Sequence, residues 1–515
     1  MTNLISLPLI VAFVGFSLCF RILRANSNKT IPAMKRLILL LSLLWITLTG
    51  ISAEVPLPSI TEAANAFMQM RLQGSSLEKT DTLFNGQKET VGYLFRYSPS
   101  GFLIVSSSAD VNPVYAYSVE GNVKLSADEE KVMKGIMSAD LDYRVKASAY
   151  NTSYNAAGIS KDWSDFLAGV SHIGLGQNRL FEQWPPQGST PTGGWIVTNY
   201  TQSAPYNIMC PLDLNAGSRS VAGCPAIAMA QIINYHREIN HTRFDSTDDY
   251  YHNFGSGNSY WIDDDHLEHD FPSFDTLNLW LDTLEETFAV NGTLSNSEKA
   301  ALSFACGVAA HQVYSKSVSG TFGMEQAAMA FQRFGFDESR LVYPKDTTLN
   351  TLIADNVKKA LPVHLGLLSS TGSGGHNVVV DGYNTDEFYH FNFGWGGSAN
   401  GWYTLPPQQI PYSLTVIESA LLDIKSSLYT FVPRTANTDL KVLVYPNPMN
   451  DFLVVEGIYG KTTFTILNPR GEVVFTSLLT GSNPKINNVK LHPGCYIYRI
   501  TDEMGNVSSG KLISK

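Results

Sequence analysis

Apolar positions along this chain follow two different periods, and the two are segregated. Helical spacing runs through Thr61–Gln73, where Ala64, Phe67, Met68 and Leu72 fall on one face, and through Ala127–Ala149. Short strand-like runs lie between them at Gly101–Ser106 and Pro113–Ser118, and a polar stretch from Asn151 to Asp162 reads as the start of a linker. Further on, helical spacing returns at Pro225–Glu238, Leu277–Phe288, Ser297–Val313 and Met324–Phe334. Strands then cluster at Val363–Leu368, Asn377–Asp381, Glu387–Phe393 and Gly401–Leu405. Helices first and strands later predict an α+β arrangement of two packed lobes. From residue 438 the pattern changes again. Short strands recur every eight to twelve residues at Val442–Tyr445, Phe452–Val455, Thr463–Leu467, Glu472–Leu478, Cys495–Ile500 and Lys511–Ser514, which predicts a small β-sandwich.

Charge sharpens these divisions. The 515 residues carry 36 Lys and Arg against 46 Asp and Glu, a net charge of −10. Residues 1–53 hold five basic side chains and no acid, and residues 438–515 hold eight basic and six acidic ones, so the middle carries −17. Only 16% of residues are charged and 44% are hydrophobic, which excludes a disordered chain. An acidic balance without a basic run also excludes nucleic acid as the main partner.

Two apolar runs precede residue 54, at 4–20 and 37–50, each short of the ~20 residues that span a bilayer comfortably. The second has the order of a secretory signal: Met34-Lys35-Arg36, an apolar stretch Leu37–Leu48, then Ile51-Ser52-Ala53 with small residues for a signal peptidase. Residues 34–53 are therefore expected to be a signal peptide cut after Ala53, and residues 1–33 an over-extended N-terminus ahead of a start at Met34. A membrane hairpin is the competing reading. Export leaves four widely spaced cysteines, Cys210, Cys224, Cys306 and Cys495, too sparse for a disulfide scaffold and without a CxxC pair for zinc.

Candidate chemistry centres on Gly223-Cys224-Pro225 followed by Ala226, Ala228 and Ala230. Pro225 suits the first helical position and the small residues suit a tightly packed helix, so Cys224 is placed at a helix N-terminus, where dipole and free N–H groups favour thiolate. Gln202, twenty-two residues upstream, offers one oxyanion donor and the Cys224 backbone N–H a second. Downstream, Gly374-Gly375-His376 opens one strand, and Phe388–Phe393 with Asn392 forms another that ends at Gly394-Trp395-Gly396-Gly397. The two strands should pair as a hairpin. A histidine beside flexible glycines can then meet the thiol, with an asparagine to hold its tautomer, the arrangement used by thiol proteases.

Gln202, Pro205-Tyr206-Asn207, residues 223–235, Gly374–Tyr383 and Tyr389–Gly397 together resemble the streptopain family of cysteine peptidases, the C10 group of the papain-like clan, over residues ~54–433. The resemblance implies a papain-like two-lobed α+β peptidase domain over 175–433 and an α+β propeptide over 54–174. It implies a zymogen-type endopeptidase acting on proteins or peptides, with no cofactor and no metal. Cys224 is then the nucleophile, His376 the general base and later acid, Gln202 an oxyanion donor, and Asn392 the residue that orients the histidine. Two positions depart from the family pattern: Pro225 stands where Val is usual, and Phe393 where Trp is usual.

Tyr445-Pro446-Asn447-Pro448, Leu491–Tyr496 and Gly510–Lys515 resemble the C-terminal sorting domain of Bacteroidetes type IX secretion cargo. That implies passage through the periplasm to a secreted or outer-membrane surface location, with signal peptidase and the type IX machinery as partners, and contact with membrane only through export or anchoring. The competing class is a surface binding or adhesin protein on an inactive peptidase scaffold. Asp263–Asp270, with His266 and His269, lacks the spacing of a metal motif and reads as a solvated loop, Cys306 as inert core, and Cys210 as a buried thiol rather than a disulfide partner of Cys224.

Overall fold

The computed structural model describes residues 54–150, 156–169, 181–254, 258–345, 348–369, 375–407, 415–427, 442–449, 451–458, 461–468, 471–480, 484–487, 489–502 and 507–514. The expected signal peptide and the segment before it lie outside the described residues.

The first unit begins with α1 (Leu57–Arg71), which buries Ile60, Ala63, Ala64, Phe67 and Met68 along one stripe. An antiparallel meander follows: β1 (Ser76–Phe84), β2 (Thr90–Ser98), β3 (Phe102–Ser106) and β4 (Val114–Ser118). Helix α2 (Ala127–Tyr150) then leads to α3 (Ala156–Leu167). α3 occupies most of the stretch expected to be a linker. Its polar composition hides a helical stripe of Ile159, Trp163 and Phe166, all buried, and the Trp163 indole N–H donates to the Val111 carbonyl at 2.8 Å.

The middle unit contains β5 (Gln183–Trp184), β6 (Leu212–Asp213), β7 (Ser218–Arg219), α4 (Cys224–His236), β8 (Tyr251–Asn253), β9 (Ser259–Trp261), α5 (Phe274–Ala289), α6 (Asn296–Ala309) and α7 (Met324–Arg333). After these come β10 (Arg340–Val342), α8 (Leu349–Lys358), β11 (Val363–Leu368), β12 (Gly375–Asn384), β13 (Phe388–Asn392), β14 (Gly401–Thr404) and β15 (Ile417–Leu422). The helices pack around one core that includes Ile227, Ile232, Leu281, Leu302, Phe304 and Phe331. The strands share a second core, with Val378, Val380, Phe391 and Tyr403 against Met133 and Ile136 of α2. Two lobes therefore exist, and α4 joins them by packing on both α6 and β12. The expected hairpin is present: β12 pairs antiparallel with β13, Val379 opposite Asn392.

The first unit is stitched into the same sheet. Strand order runs β1-β2-β3-β4-β14-β13-β12-β11-β15-β10, with β5 beside β12. At the seam Trp402 lies opposite Tyr117 and Tyr403 opposite Ala116. Arg144 of α2 reinforces this join: its guanidinium bonds the Thr404 hydroxyl at 2.9 Å, the Thr404 carbonyl at 2.8 Å and buried Asp140 at 2.8 Å. A cavity of about 460 Å³ opens along the seam, lined in part by Arg144, Asp162, Lys358 and Tyr383, away from Cys224.

The C-terminal region is all β. One sheet holds β16 (Leu443–Tyr445), β17 (Phe452–Glu456) and β20 (Lys485–Asn487). The other holds β18 (Thr462–Leu467), β19 (Val473–Leu479), β21 (Gly494–Asp502) and β22 (Val507–Ser514). Leu453, Val455 and Ile486 of the first share a core with Phe464, Ile466, Ile500 and Leu512 of the second, so the two sheets face each other as a sandwich.

Burial holds His236, His252, His364 and His376 down to about 4. Each is neutral when folded but titrates near 6.5 once unfolded, so the unfolded chain binds more protons between those values and stability falls as pH falls. Each costs up to about 3 kcal/mol of stability by pH 4. Thermal unfolding followed by circular dichroism should show the melting temperature dropping steadily from pH 6.5 to pH 4; a flat profile across that window would contradict the neutral burial of these rings.

Candidate active site

Helix α4 begins at Cys224 for reasons visible in its first residues. Gly223 adopts φ +85°, a conformation that favours glycine, and Pro225 occupies the first turn, where a missing N–H costs nothing. Residues 225–233 are all buried, so the helix is apolar on every side except at Gln231. Two contacts hold the segment that leads into it. The Gln312 side chain, fully buried, donates to the Ala222 carbonyl at 2.8 Å and lies so close to Gly223 that a Cβ there would come within 2.6 Å of Oε1. The Ala222 N–H donates to the Gln202 main-chain carbonyl at 2.9 Å, which sets the main chain of Gln202 alongside the cysteine loop.

His376 sits at the start of β12, opposite Leu367 of β11. Its ring stacks on Trp395 at 4.2 Å and, further off, on Phe393 at 5.8 Å. Its Nε2 lies 2.8 Å from the Phe393 main-chain carbonyl. A carbonyl only accepts, so Nε2 carries the hydrogen and the neutral ring presents the Nδ1 lone pair, the tautomer a general base needs.

Asn392 does not touch His376. Its Oδ1 accepts from the Gly394 N–H at 3.0 Å and from Gln231 Nε2 at 3.3 Å, and its Nδ2 donates to the Thr198 carbonyl at 3.1 Å. Gln231 also accepts from the Tyr200 N–H at 3.3 Å. The asparagine thus ties the cysteine helix, the 198–200 segment and the turn after β13 into one buried cluster. It acts on the histidine only through the turn that presents the Phe393 carbonyl. A sequence pattern of Asn before an aromatic residue could not reveal this, because it does not say which of the two bonds the ring. Gln231 left a clearer signal, as a lone polar residue in an apolar helix. Trp395, in the glycine turn after the strand, provides the closest aromatic ring to His376.

The Cys224 sulfur is bonded by Asn377, whose Nδ2 lies 3.9 Å away, with the Asn377 backbone N–H also directed at it. Burial pushes the thiol up, and these N–H donors and its own backbone N–H pull it back only in part. This differs from the expectation of a thiol lowered by the helix N-terminus: for half-buried Cys224 desolvation is the largest effect. The first unit packs on the sheet core beside His376. Val123, Met133, Ile136 and Met137 share a core with Leu367, Phe393 and Trp395, and Gly135 packs on Ser369 just beyond β11.

Cys210 is buried and free, its thiol pushed up to about 12, and Cys306 is buried and free in α6. In the 263–270 loop, carboxylates bond backbone: Asp263 accepts from the Phe274 N–H at 2.6 Å and Asp265 from the Trp261 N–H at 2.7 Å.

A cysteine heading a buried helix between a helical lobe and an antiparallel sheet, with a histidine at the facing strand start, defines a thiol-hydrolase type of scaffold. Residues 200–403 match the peptidase C10 family, and residues 443–515 match the secretion system C-terminal sorting domain. Streptopain of Streptococcus pyogenes is 25% identical over 330 residues, covering 61% of this chain and 73% of streptopain. The thiol protease/hemagglutinin PrtT of Porphyromonas gingivalis is 27% identical over 210 residues, 39% of this chain and 22% of that protein. Among solved structures, a Prevotella intermedia prointerpain A fragment aligns with a TM-score of 0.43 at 19% identity, over 68% of this chain and 99% of the fragment. The chain carries a cysteine-type peptidase domain of the C10 family and, after it, a secretion sorting domain. Among the described residues no helix is long and apolar enough to cross a membrane.

Gly223→Ala tests how the site is built. A Cβ at φ +85° costs on the order of 1–2 kcal/mol and must also displace Gln312. The variant should melt several degrees lower and alkylate at Cys224 at an altered rate; an unchanged melting curve would show that the loop relaxes without strain.

Proposed function

We propose that the protein is a secreted, zymogen-type cysteine endopeptidase. Cys224 attacks the peptide carbonyl and passes its proton to Nδ1 of His376. The oxyanion is stabilised by the Cys224 backbone N–H and the Gln202 side chain. Protonated His376 gives its proton to the leaving amine, and water then cleaves the thioacyl intermediate, with His376 again as base. The bond from His376 Nε2 to the Phe393 carbonyl supports this reading, because it leaves Nδ1 as the basic atom of the ring.

Residues 54–174 act as the propeptide in this reading, and residues 175–433 as the peptidase domain. In the uncut chain burial raises the thiol and lowers the imidazole to about 4, so both stay neutral and the thiol is a weak nucleophile. Withdrawing the propeptide hydrates the site and reduces the cost of the thiolate–imidazolium pair. The sorting domain, 438–515, addresses the chain to secretion or the cell surface through the type IX machinery, after signal peptidase acts at 34–53.

Two outcomes are expected. Cys224→Ala should abolish casein hydrolysis, and iodoacetamide should do the same to the wild type; hydrolysis that survives both would sink the peptidase mechanism, and a folded wild type inert to both substrate and alkylator would favour a binding protein. Arg144→Ala removes the charge paired with buried Asp140 at the seam, a change that typically costs about 3–5 kcal/mol. It should raise the alkylation rate of Cys224 severalfold in the uncut chain; an unaltered rate would mean the seam does not hold the cleft closed.

A further inference from the structure

Strand alternation decides which residue of β12 meets the cysteine. His376, Val378 and Val380 lie on the sheet-core side, whereas Val379 belongs to the helical core with α4. Asn377 therefore projects toward α4, and its Nδ2 reaches the Cys224 sulfur at 3.9 Å. Its Oδ1 is held from behind by Nε2 of His364 at 2.7 Å. His364 lies on β11 opposite Val379, diagonal to Asn377 on the same face, and is fully buried.

The direction of this relay is fixed by simple counting. Nδ1 of His364 is buried without a hydrogen-bond partner among the described residues. A buried lone pair left unpaired is tolerated better than a buried N–H left unpaired, so the proton belongs on Nε2. Nε2–H then donates to Asn377 Oδ1, and the amide must turn its NH₂ toward sulfur. A flipped amide would set an oxygen lone pair against the sulfur and force the His364 proton onto the unpartnered nitrogen.

We propose that Asn377 is a positioning residue for the nucleophile. Its side-chain NH₂ and backbone N–H hold the Cys224 sulfur and stabilise it as thiolate, and His364 fixes the amide in the donating orientation. The Cys224 proton goes to His376 Nδ1; the amide gives a hydrogen bond and no proton. At 3.9 Å the contact is long, as such contacts are before substrate arrives, and it shortens when the sulfur becomes charged. The inference rests on Cys224 being the nucleophile.

The test is the pH dependence of iodoacetamide alkylation at Cys224 in the full-length chain, read by peptide mass spectrometry that separates Cys224 from exposed Cys495. Asn377→Leu removes the donor and should move the midpoint up by about one pH unit, with a roughly tenfold loss of rate at pH 7. Asn377→Asp, the same shape without a donor, should move it further. His364→Gln retains an N–H for Oδ1 and should stay near wild type, whereas His364→Leu should follow Asn377→Leu. An unshifted midpoint in folded Asn377→Asp overturns the proposal. If Asn377 variants fail to fold, the His364 pair decides, and identical profiles for Gln and Leu overturn it. Casein hydrolysis by Cys224→Ala separates the two levels: retained hydrolysis removes the nucleophile assignment itself, whereas abolished hydrolysis with unshifted Asn377 variants removes only this inference.

Discussion

The contact between the first turn of α4 and the first residues of β12 is the constraint the rest of the molecule serves. A buried helix can end there only if the strand offers an open edge. β11 covers β12 from Gly375 to Val380, but the ladder to β13 starts at Val379, so residues 375–378 keep that edge free for the helix and for the turn after β13. Gly394, at φ +67°, presses this turn onto the helix; a Cβ there would come within 2.8 Å of Ile227. The Gln231–Asn392 bond, two turns along α4, locks the same three segments from inside. Further down β12, Asp381 accepts the Ile196 N–H at 2.7 Å and bonds His390 at 2.7 Å, pinning the 193–196 segment whose continuation carries Gln202.

Electrostatics follow from this packing. Burial pushes the Cys224 thiol up and holds the His376 imidazole down, so desolvation penalises the charged form of each. α2 packs on the core beside His376, and the continuous sheet through β4 and β14 ties the first unit to that core.

Much of this was legible in the sequence because it depended on local signals. Gly223-Cys224-Pro225 marked a helix start, the alternation around 377–381 and 388–392 marked a hairpin, and the change of period at residue 438 marked a separate β region; each recurs in the structure. What stayed hidden depends on partners far apart in sequence. The polar composition of 151–162 concealed α3, whose stripe matters only against α1. Asn392 was expected to orient the histidine, but the atom that bonds His376 is the Phe393 carbonyl, set by the turn geometry after β13. Asn377 carried no signal, since a strand residue's face is known only once its neighbours on both sides are placed.

The two departures from the streptopain pattern then have a common physical meaning. At Phe393 the histidine bonds the backbone carbonyl, which any residue supplies, and Trp395 stacks closest to the ring, so an indole at position 393 is not needed to hold the tautomer. Pro225 occupies the first turn, where its missing N–H costs the helix nothing, so the start of α4 survives the change. The donors on the Cys224 sulfur come from Asn377 on the facing strand and from the cysteine's own backbone N–H, and neither depends on the side chain at position 225.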